Sequence, residues 1–279
     1  MKKDVIDSVI AAALNEDLPQ GDITSESIIP EESRSEAIIL AKEDGVLAGL
    51  DVARRVFAKI DSDLQFRKTK KDGQRFSAGE KLAVIRGSSI SILKGERTAL
   101  NFLQRMSGIA TATWRFVQAL EGTKTKILDT RKTTPGLRTL EKYAVKMGGG
   151  KNHRHNLSEM VMIKDNHLKL VGSISQAVQR AKERIKPGIK VEVEATKLDE
   201  VKEAVHSGAD MIMLDNMSVE SMRKVVEWVK GKVPLEVSGK VSLDRVREIA
   251  ALGVDFISVG SLTHSYRSVD ISIEFLGEL

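Results

Sequence analysis

Apolar positions near the start of the chain recur at helical spacing: Val5, Ile6, Val9, Ile10, Ala13 and Leu14 share one face, and Leu18-Pro19-Gln20-Gly21 ends the run. The pattern predicts an amphipathic helix, followed by a turn-rich segment from Asp22. Arg34–Lys42 reads as a strand, Leu50–Ile60 as a short helix, and Asp63–Thr69 and Lys81–Arg86 as further strands separated by glycine-bearing turns. The first hundred residues are therefore mixed α and β. Ser88–Leu120 carries a stripe of Ala99, Leu103, Met106, Ala110, Thr113, Val117 and Leu120, which predicts a long helix broken near Gly95 or Gly108.

From Thr125 the pattern changes to short apolar strands alternating with helices. Strands are expected at Thr125–Leu128, Met160–Ile163, Lys190–Glu194, Met211–Leu214, Leu235–Val237 and Phe256–Val259. Helices are expected near Leu140–Met147 and at Ser175–Ile185, Leu198–His206, Val219–Val229 and Leu243–Leu252. Repeated βα units make a parallel sheet, and this many in succession favour a closed barrel over an open sheet. No GxGxxG follows the first of these strands, which argues against a dinucleotide-binding sheet. The closing ISIEFLGEL alternates as a strand and is expected to return to the first domain.

A chain of 279 residues has room for a barrel and a smaller domain. Its 41% hydrophobic and 30% charged residues are those of a globular protein. The absence of cysteine excludes disulfides, thiolate metal sites and a cysteine nucleophile. Asp4, Asp7 and Ser8 interrupt the N-terminal apolar residues, which argues against a signal peptide, and no window approaches the roughly 20 apolar residues of a membrane span. The expected location is the cytoplasm, with no membrane partner.

The net charge of +5 is concentrated in Asp129–His167, which holds eight basic residues, four acidic ones and three of the five histidines. Such a stretch suits a small, multiply charged anion. A nucleic-acid footprint would be broader, so no nucleic-acid partner is expected. A run of Lys and Arg on a loop is by itself usually a solvated face. Here, however, Arg131 and Lys164 each follow closely on an apolar run.

In (β/α) barrels the chemistry lies at the C-terminal ends of the strands. The residues there are Asp129 and Arg131, Lys164, Glu194, Asp215, Ser238-Gly239 and Gly260-Ser261. The cations suit carboxylate recognition, Glu194 and Asp215 suit Mg²⁺ or ribose hydroxyls, and the Gly/Ser turns suit a phosphate. Each also has a plainer reading: Asp215 as a helix cap, the Gly/Ser pairs as tight turns, and Glu192 and Glu236 as interior carboxylates paired with lysines. Together the residues fit a phosphorylated sugar carrying a further anionic group.

The segments DTRKTTPGLR, GGGKNHRHNLSEMVMIKDNH, VEVEA, MLDNM and SVGSLTHS, with EDLPQGDITS and GERTALNFLQRMSGIAT before them, resemble the quinolinate phosphoribosyltransferases along essentially the whole chain. The resemblance implies an α/β open-faced sandwich over residues 1–105, joined by a C-terminal strand at 266–279, and an irregular (β/α) barrel over 106–265. It implies transfer of phosphoribosyl from phosphoribosyl pyrophosphate to quinolinate with loss of CO₂, giving nicotinate mononucleotide.

Carried over residue by residue, quinolinate falls to Arg131, His153, Arg154 and Lys164, with Arg97 from a neighbouring subunit. Phosphoribosyl pyrophosphate falls to Lys132, Lys164, Glu194, Asp215, Ser238, Gly239, Gly260, Ser261 and His264. Lys132, Lys164, Glu194 and Asp215 are the implied catalytic set, and Glu194 and Asp215 the implied Mg²⁺ ligands, directly or through water. No organic cofactor is implied. Assembly is expected as a dimer, or a hexamer of dimers, with shared sites. Family members often carry two glycines after the serine matching Ser238, whereas Lys240 follows Gly239 here. The alternatives are the pyrophosphorylase-like relative associated with molybdenum transport and a non-catalytic anion or nucleic-acid binder.

Overall fold

The computed structural model describes residues 3–278, and the expected features at Met1, Lys2 and Leu279 lie outside it. The first elements are α1 (Lys3–Asp17), α2 (Ile23–Ile28), β1 (Arg34–Ala41), β2 (Gly45–Val46), α3 (Leu50–Ile60), β3 (Gln65–Lys68), β4 (Arg75–Phe76), β5 (Lys81–Ser88) and α4 (Ser89–Ala119). Then come β6 (Lys126–Leu128), α5 (Arg138–Met147), β7 (Val161–Ile163), α6 (Asp165–Val171), α7 (Ile174–Arg184), β8 (Val191–Ala195), α8 (Leu198–His206) and β9 (Met211–Asp215). The chain ends with α9 (Val219–Val229), β10 (Leu235–Ser238), α10 (Leu243–Ala250), β11 (Phe256–Ser258), α11 (Ser261–His264) and β12 (Ile271–Glu278).

The chain divides into two compact units. One comprises the residues up to Trp114, Thr133–Gly149 and those from Ser261; the other comprises Arg115–Lys132 and Gly150–Gly260. The expected division at residue 105 falls inside the long helix, and the first unit also takes in Thr133–Gly149 with α5.

In the first unit an antiparallel sheet runs β12-β1-β5-β3. β12 pairs along β1 from Ala41↔Ile271 to Ser35↔Glu278, so the last strand returns to the first sheet. Alternation in β1 buries Ala37, Ile39 and Ala41, and α3 adds Leu50, Val52, Ala53, Val56 and Phe57 to the core. Each of the larger ones, Ile39, Leu50, Val52, Val56 and Phe57, contributes about 1.5–3 kcal/mol by leaving water. The segment after Asp22 is helical: Asp22 caps α2 by accepting the Ser25 N–H at 3.1 Å.

α4 is one unbroken helix of 31 residues, about 46 Å long. The break expected at Gly95 or Gly108 does not occur, because both glycines serve close packing. A Cβ on Gly95 would stand 2.6 Å from the Phe57 ring, and one on Gly108 would stand 2.2 Å from the Arg267 carbonyl oxygen. In the same unit, Glu141 on α5 has no exposed surface and accepts Arg105 Nε at 3.1 Å and the Thr134 N–H at 3.2 Å. Lys142 is also buried, so the basic stretch is not a uniformly solvated face.

The second unit is built on six parallel strands in the order β6-β11-β10-β9-β8-β7. Among the described residues no ladder joins β6 to β7. A single parallel bridge sets Lys151 beside Leu128 instead, so the ring of strands is irregular rather than closed. β6, β7 and β11 have three residues each, which a contiguous apolar run slightly overestimates.

Gly108→Ala should lower stability in urea unfolding by about 1–3 kcal/mol. The gain in helix propensity, about 1 kcal/mol, is outweighed by a clash with a backbone carbonyl that cannot swing aside. Gly95→Ala, which meets a side chain, should cost less.

Candidate active site

Parallel strands place the residues two apart on one face, which defines two layers inside the second unit. Glu194, Asp215 and Ser238 make up the upper layer as the last residue on that face of the neighbouring strands β8, β9 and β10; Ser238 pairs directly with Asp215, and Glu194 pairs with Met213, one pleat lower. Glu192 and Glu236 lie one pleat below Glu194 and Ser238 and have no exposed surface.

In the upper layer, Lys164 ends β7 and its Nζ donates to Glu194 Oε2 at 2.7 Å. His167 Nδ1 accepts the Lys164 N–H at 2.9 Å and so fixes the start of α6. Asp215 Oδ2 accepts the side-chain amide of Asn216 at 2.8 Å, and the Asn216 N–H donates to the Ser238 carbonyl at 3.0 Å. Gly239 has φ +94°, and a Cβ there would lie 2.3 Å from Asn216 Oδ1, so only glycine fits. Lys240 adopts φ 46°, the left-handed region. A glycine would sit there without strain, and the lysine keeps that backbone course at a cost of about 1–2 kcal/mol.

Arg131 and Lys132 follow β6 and are exposed; the Lys132 N–H donates to Thr130 Oγ1 at 3.0 Å. The Arg154 guanidinium donates to the Met160 carbonyl at 2.9 Å and approaches Met162 Sδ at 3.6 Å. Burial and the nearby charge of Arg131 both lower the Arg154 pKa, so two guanidiniums face a common space. That arrangement suits a ligand with two negative charges. Gly260 follows β11 in this unit, while Arg97, exposed on α4, and Ser261 and His264 belong to the first unit.

His153 is the link between the layers. Its backbone N–H donates to Asp129 Oδ1 at 2.9 Å, and its nearly buried ring reaches inward. Nε2 lies 3.1 Å from Glu192 Oε2 and 3.2 Å from Glu236 Oε2, while Nδ1 accepts the Arg154 N–H at 2.7 Å. Glu236 is further held by the Ser258 hydroxyl. Glu192 and Glu236 are thus interior carboxylates, as expected, but their partner is histidine and not lysine. The histidine arrives on the segment that Lys151 docks beside β6, a placement the strand pattern does not reveal. Glu192 and Glu236 are the residues whose importance the strand-end reading missed. The repeat of Glu at alternate positions in VEVEA was the available signal, because both must point inward.

Burial opposes a charge on His153, but hydrogen bonds to Glu192 and Glu236 outweigh it and push its pKa up to about 9. Burial likewise pushes Glu192 up to about 7. Both shifts mean that the cluster keeps a proton that the unfolded chain would release. The raised His153 pKa favours the added proton on the imidazole, whereas the Nδ1 contact with Arg154 favours it on the carboxylates, so the proton belongs to the cluster of His153, Glu192 and Glu236 as a whole.

Folded-state proton affinities above the unfolded values make stability fall as pH rises, here from about 6.5 to about 9 for His153. Melting temperatures across this range should decline in the wild type and flatten in His153→Asn.

Two family models cover the chain: quinolinate phosphoribosyl transferase, N-terminal domain, over residues 22–107, and its C-terminal domain over residues 109–274. The chain is 43% identical over 259 residues to a probable nicotinate-nucleotide pyrophosphorylase [carboxylating] of Bacillus subtilis, covering 93% of this chain and 89% of that one. It is 41% identical over 290 residues to quinolinate phosphoribosyltransferase [decarboxylating] 2b of Nicotiana tabacum, covering 97% and 82%. The crystal structure of NadC from Streptococcus pyogenes superposes with a TM-score of 0.95 at 42% identity, covering 99% of each chain. On the strength of these matches along nearly its full length, the chain belongs to the quinolinate phosphoribosyl transferase family.

Proposed function

We propose that this protein transfers phosphoribosyl from phosphoribosyl pyrophosphate to quinolinate and releases pyrophosphate and CO₂, forming nicotinate mononucleotide. The observation that carries the reading is the neighbouring pair of guanidiniums, Arg131 and Arg154, in the unit whose strand ends also carry the Lys164–Glu194 ion pair. Two neighbouring cations favour a ligand with two carboxylates over one with a single carboxylate, since the second cation would be left without its partner.

The assigned division of labour gives the dicarboxylate to Arg131 and Arg154, with Lys164 between the two substrates. Glu194 and Asp215 face the ribose hydroxyls, Lys132 meets the pyrophosphate, and Ser238, Gly239 and Gly260 hold the 5′-phosphate end. Glu194 and Asp215 are half-buried oxygen donors on adjacent strands. That donor set fits Mg²⁺ held by one or two carboxylates together with substrate phosphates. When bound, the ion supplies charge neutralisation at the leaving pyrophosphate.

The pyridine nitrogen attacks C1 of the donor as the C1–O bond to pyrophosphate breaks. Glu194 and Asp215 orient the sugar for this displacement, and Lys132 stabilises the charge developing on the departing oxygen. The positive charge on the quaternised ring nitrogen then stabilises the electron pair left on the adjacent ring carbon as its carboxylate departs as CO₂, and a proton from solvent binds that pair. Among the described residues no helix is long and apolar enough to cross a membrane. A cytoplasmic enzyme assembled as a dimer or as a hexamer of dimers, with Arg97 contributed from a neighbouring subunit, completes the proposal.

Quinolinate-dependent appearance of nicotinate mononucleotide with Mg²⁺ tests the activity, and no turnover by the folded protein would overturn it. Arg154→Ala should cost about 10- to 100-fold in kcat/KM for quinolinate, the worth of a hydrogen bond to a charged group, and leave the donor KM within about threefold. Mixing Arg97→Ala with Arg131→Ala protein should restore activity that neither has alone, through hybrid assemblies containing one intact site; mixtures no more active than their components would count against shared sites.

A further inference from the structure

The ring of His153 has one donor and one acceptor when neutral, and protein groups engage both. Nδ1 takes the Arg154 N–H at 2.7 Å, and Nε2 faces Glu192 and Glu236 at 3.1 and 3.2 Å. The side chain is only 6% exposed. These contacts leave the ring turned toward the interior of the second unit and toward its own chain neighbour, rather than toward a ligand above the strand ends.

The same three side chains place ligand-type atoms within 4.8 Å of one another, close enough for a cation. The hydrogen-bond pattern argues against one. A metal on Nε2 would require the ring proton on Nδ1, where it would meet the Arg154 N–H head on. Glu192 Oε1 is buried with no hydrogen bond of its own, and Glu236 Oε2 meets only the His153 ring, which points instead to carboxylates that share a proton.

We infer that His153 is a positioning residue for Arg154, and that Glu192 and Glu236 hold its ring in the one orientation that offers Nδ1 to the Arg154 backbone. A flipped ring would turn C–H groups toward the carboxylates and toward Arg154, so the two glutamates select the rotamer. Asp129 fixes the other end of the device through the His153 N–H at 2.9 Å, and the Met160 carbonyl holds the guanidinium at 2.9 Å. Arg154 is thereby set at both its backbone and its tip. The inference rests on the proposed function in one respect, that Arg154 binds a carboxylate of quinolinate, and it moves His153 from direct contact with that substrate to support of the residue that makes the contact.

A double-mutant cycle on the full-length protein tests it. His153→Leu should raise the quinolinate KM about tenfold and leave the donor KM within about twofold. His153→Asn, whose Oδ1 can still accept the Arg154 N–H, should stay within about threefold of wild type. In an Arg154→Ala background His153→Leu should add less than about twofold, because the residue it positions is gone. Losses that multiply in the double variant, or equal losses in Asn and Leu, would overturn the inference in favour of direct contact. Long-range ¹H–¹⁵N spectra of the wild type, with five histidines to assign, give an arm independent of folding in the variants. A neutral His153 ring protonated at Nε2, unchanged by quinolinate, upholds the assignment, and a ring protonated at Nδ1 overturns it. Failure of wild-type turnover would strike the proposed activity alone, with the spectra then deciding the hydrogen-bond arrangement.

Discussion

Asp129 ends β6 without exposed surface, and its carboxylate accepts the His153 N–H and the Asn152 side-chain amide. Its own N–H donates to the Lys151 carbonyl at 3.2 Å, and the Lys151 N–H donates to the Ile127 carbonyl at 2.8 Å. These four bonds seat the Lys151–His153 segment beside the C-terminal end of β6. Two basic clusters more than twenty residues apart in sequence, Arg131-Lys132 and His153-Arg154, are therefore held at the end of the same strand. A buried carboxylate left without such donors would cost several kcal/mol, so the segment and the aspartate stabilise one another.

The inward face of the second unit carries charge in two layers with different work. The upper carboxylates, Glu194 and Asp215, are half-buried and sit where strand ends meet solvent. The lower pair, Glu192 and Glu236, is out of contact with water and is balanced by an imidazole and a retained proton. Placing a polar cluster beneath a site costs stability compared with an apolar filling, but it gives the ring above it a single orientation. A displacement of about 1 Å in a group that positions a reactant is enough to change rates substantially.

The first unit manages its buried polar groups by the same rule. Glu141 is satisfied by Arg105 and by the Thr134 N–H, and Tyr143 donates to Asp72 Oδ2 at 2.8 Å. Ser107 and Thr111 on α4 accept the N–H groups of Ala48 and Val46 at 3.2 and 2.9 Å. Gly108 lets the Arg267 carbonyl lie against the helix. The helix keeps its course because its glycines face neighbours, so propensity alone was a misleading guide to where it would break.

Much of this was legible in the chain alone. Period-2 and period-3.6 patterning located α3, α8 and α9 at the ends they have, and strand-end logic picked out Lys164, Glu194, Asp215 and Ser238, because a parallel sheet gathers those ends in one place. Local signals also explain the misses. The cap at Asp22 was outweighed by the turn residues around α2, and Lys142 carries a charge whose burial no neighbour in sequence announces. What the sequence could not decide was which distant groups share a proton or a hydrogen bond. His153 meets Glu192 and Glu236 only because the interruption between β6 and β7 lets the Lys151 segment fill the gap and turn the ring inward. Pattern determines which faces are buried, since burial repeats with the geometry of helix and strand; pairing of polar groups depends on distances of about 3 Å, which only the closed tertiary structure sets.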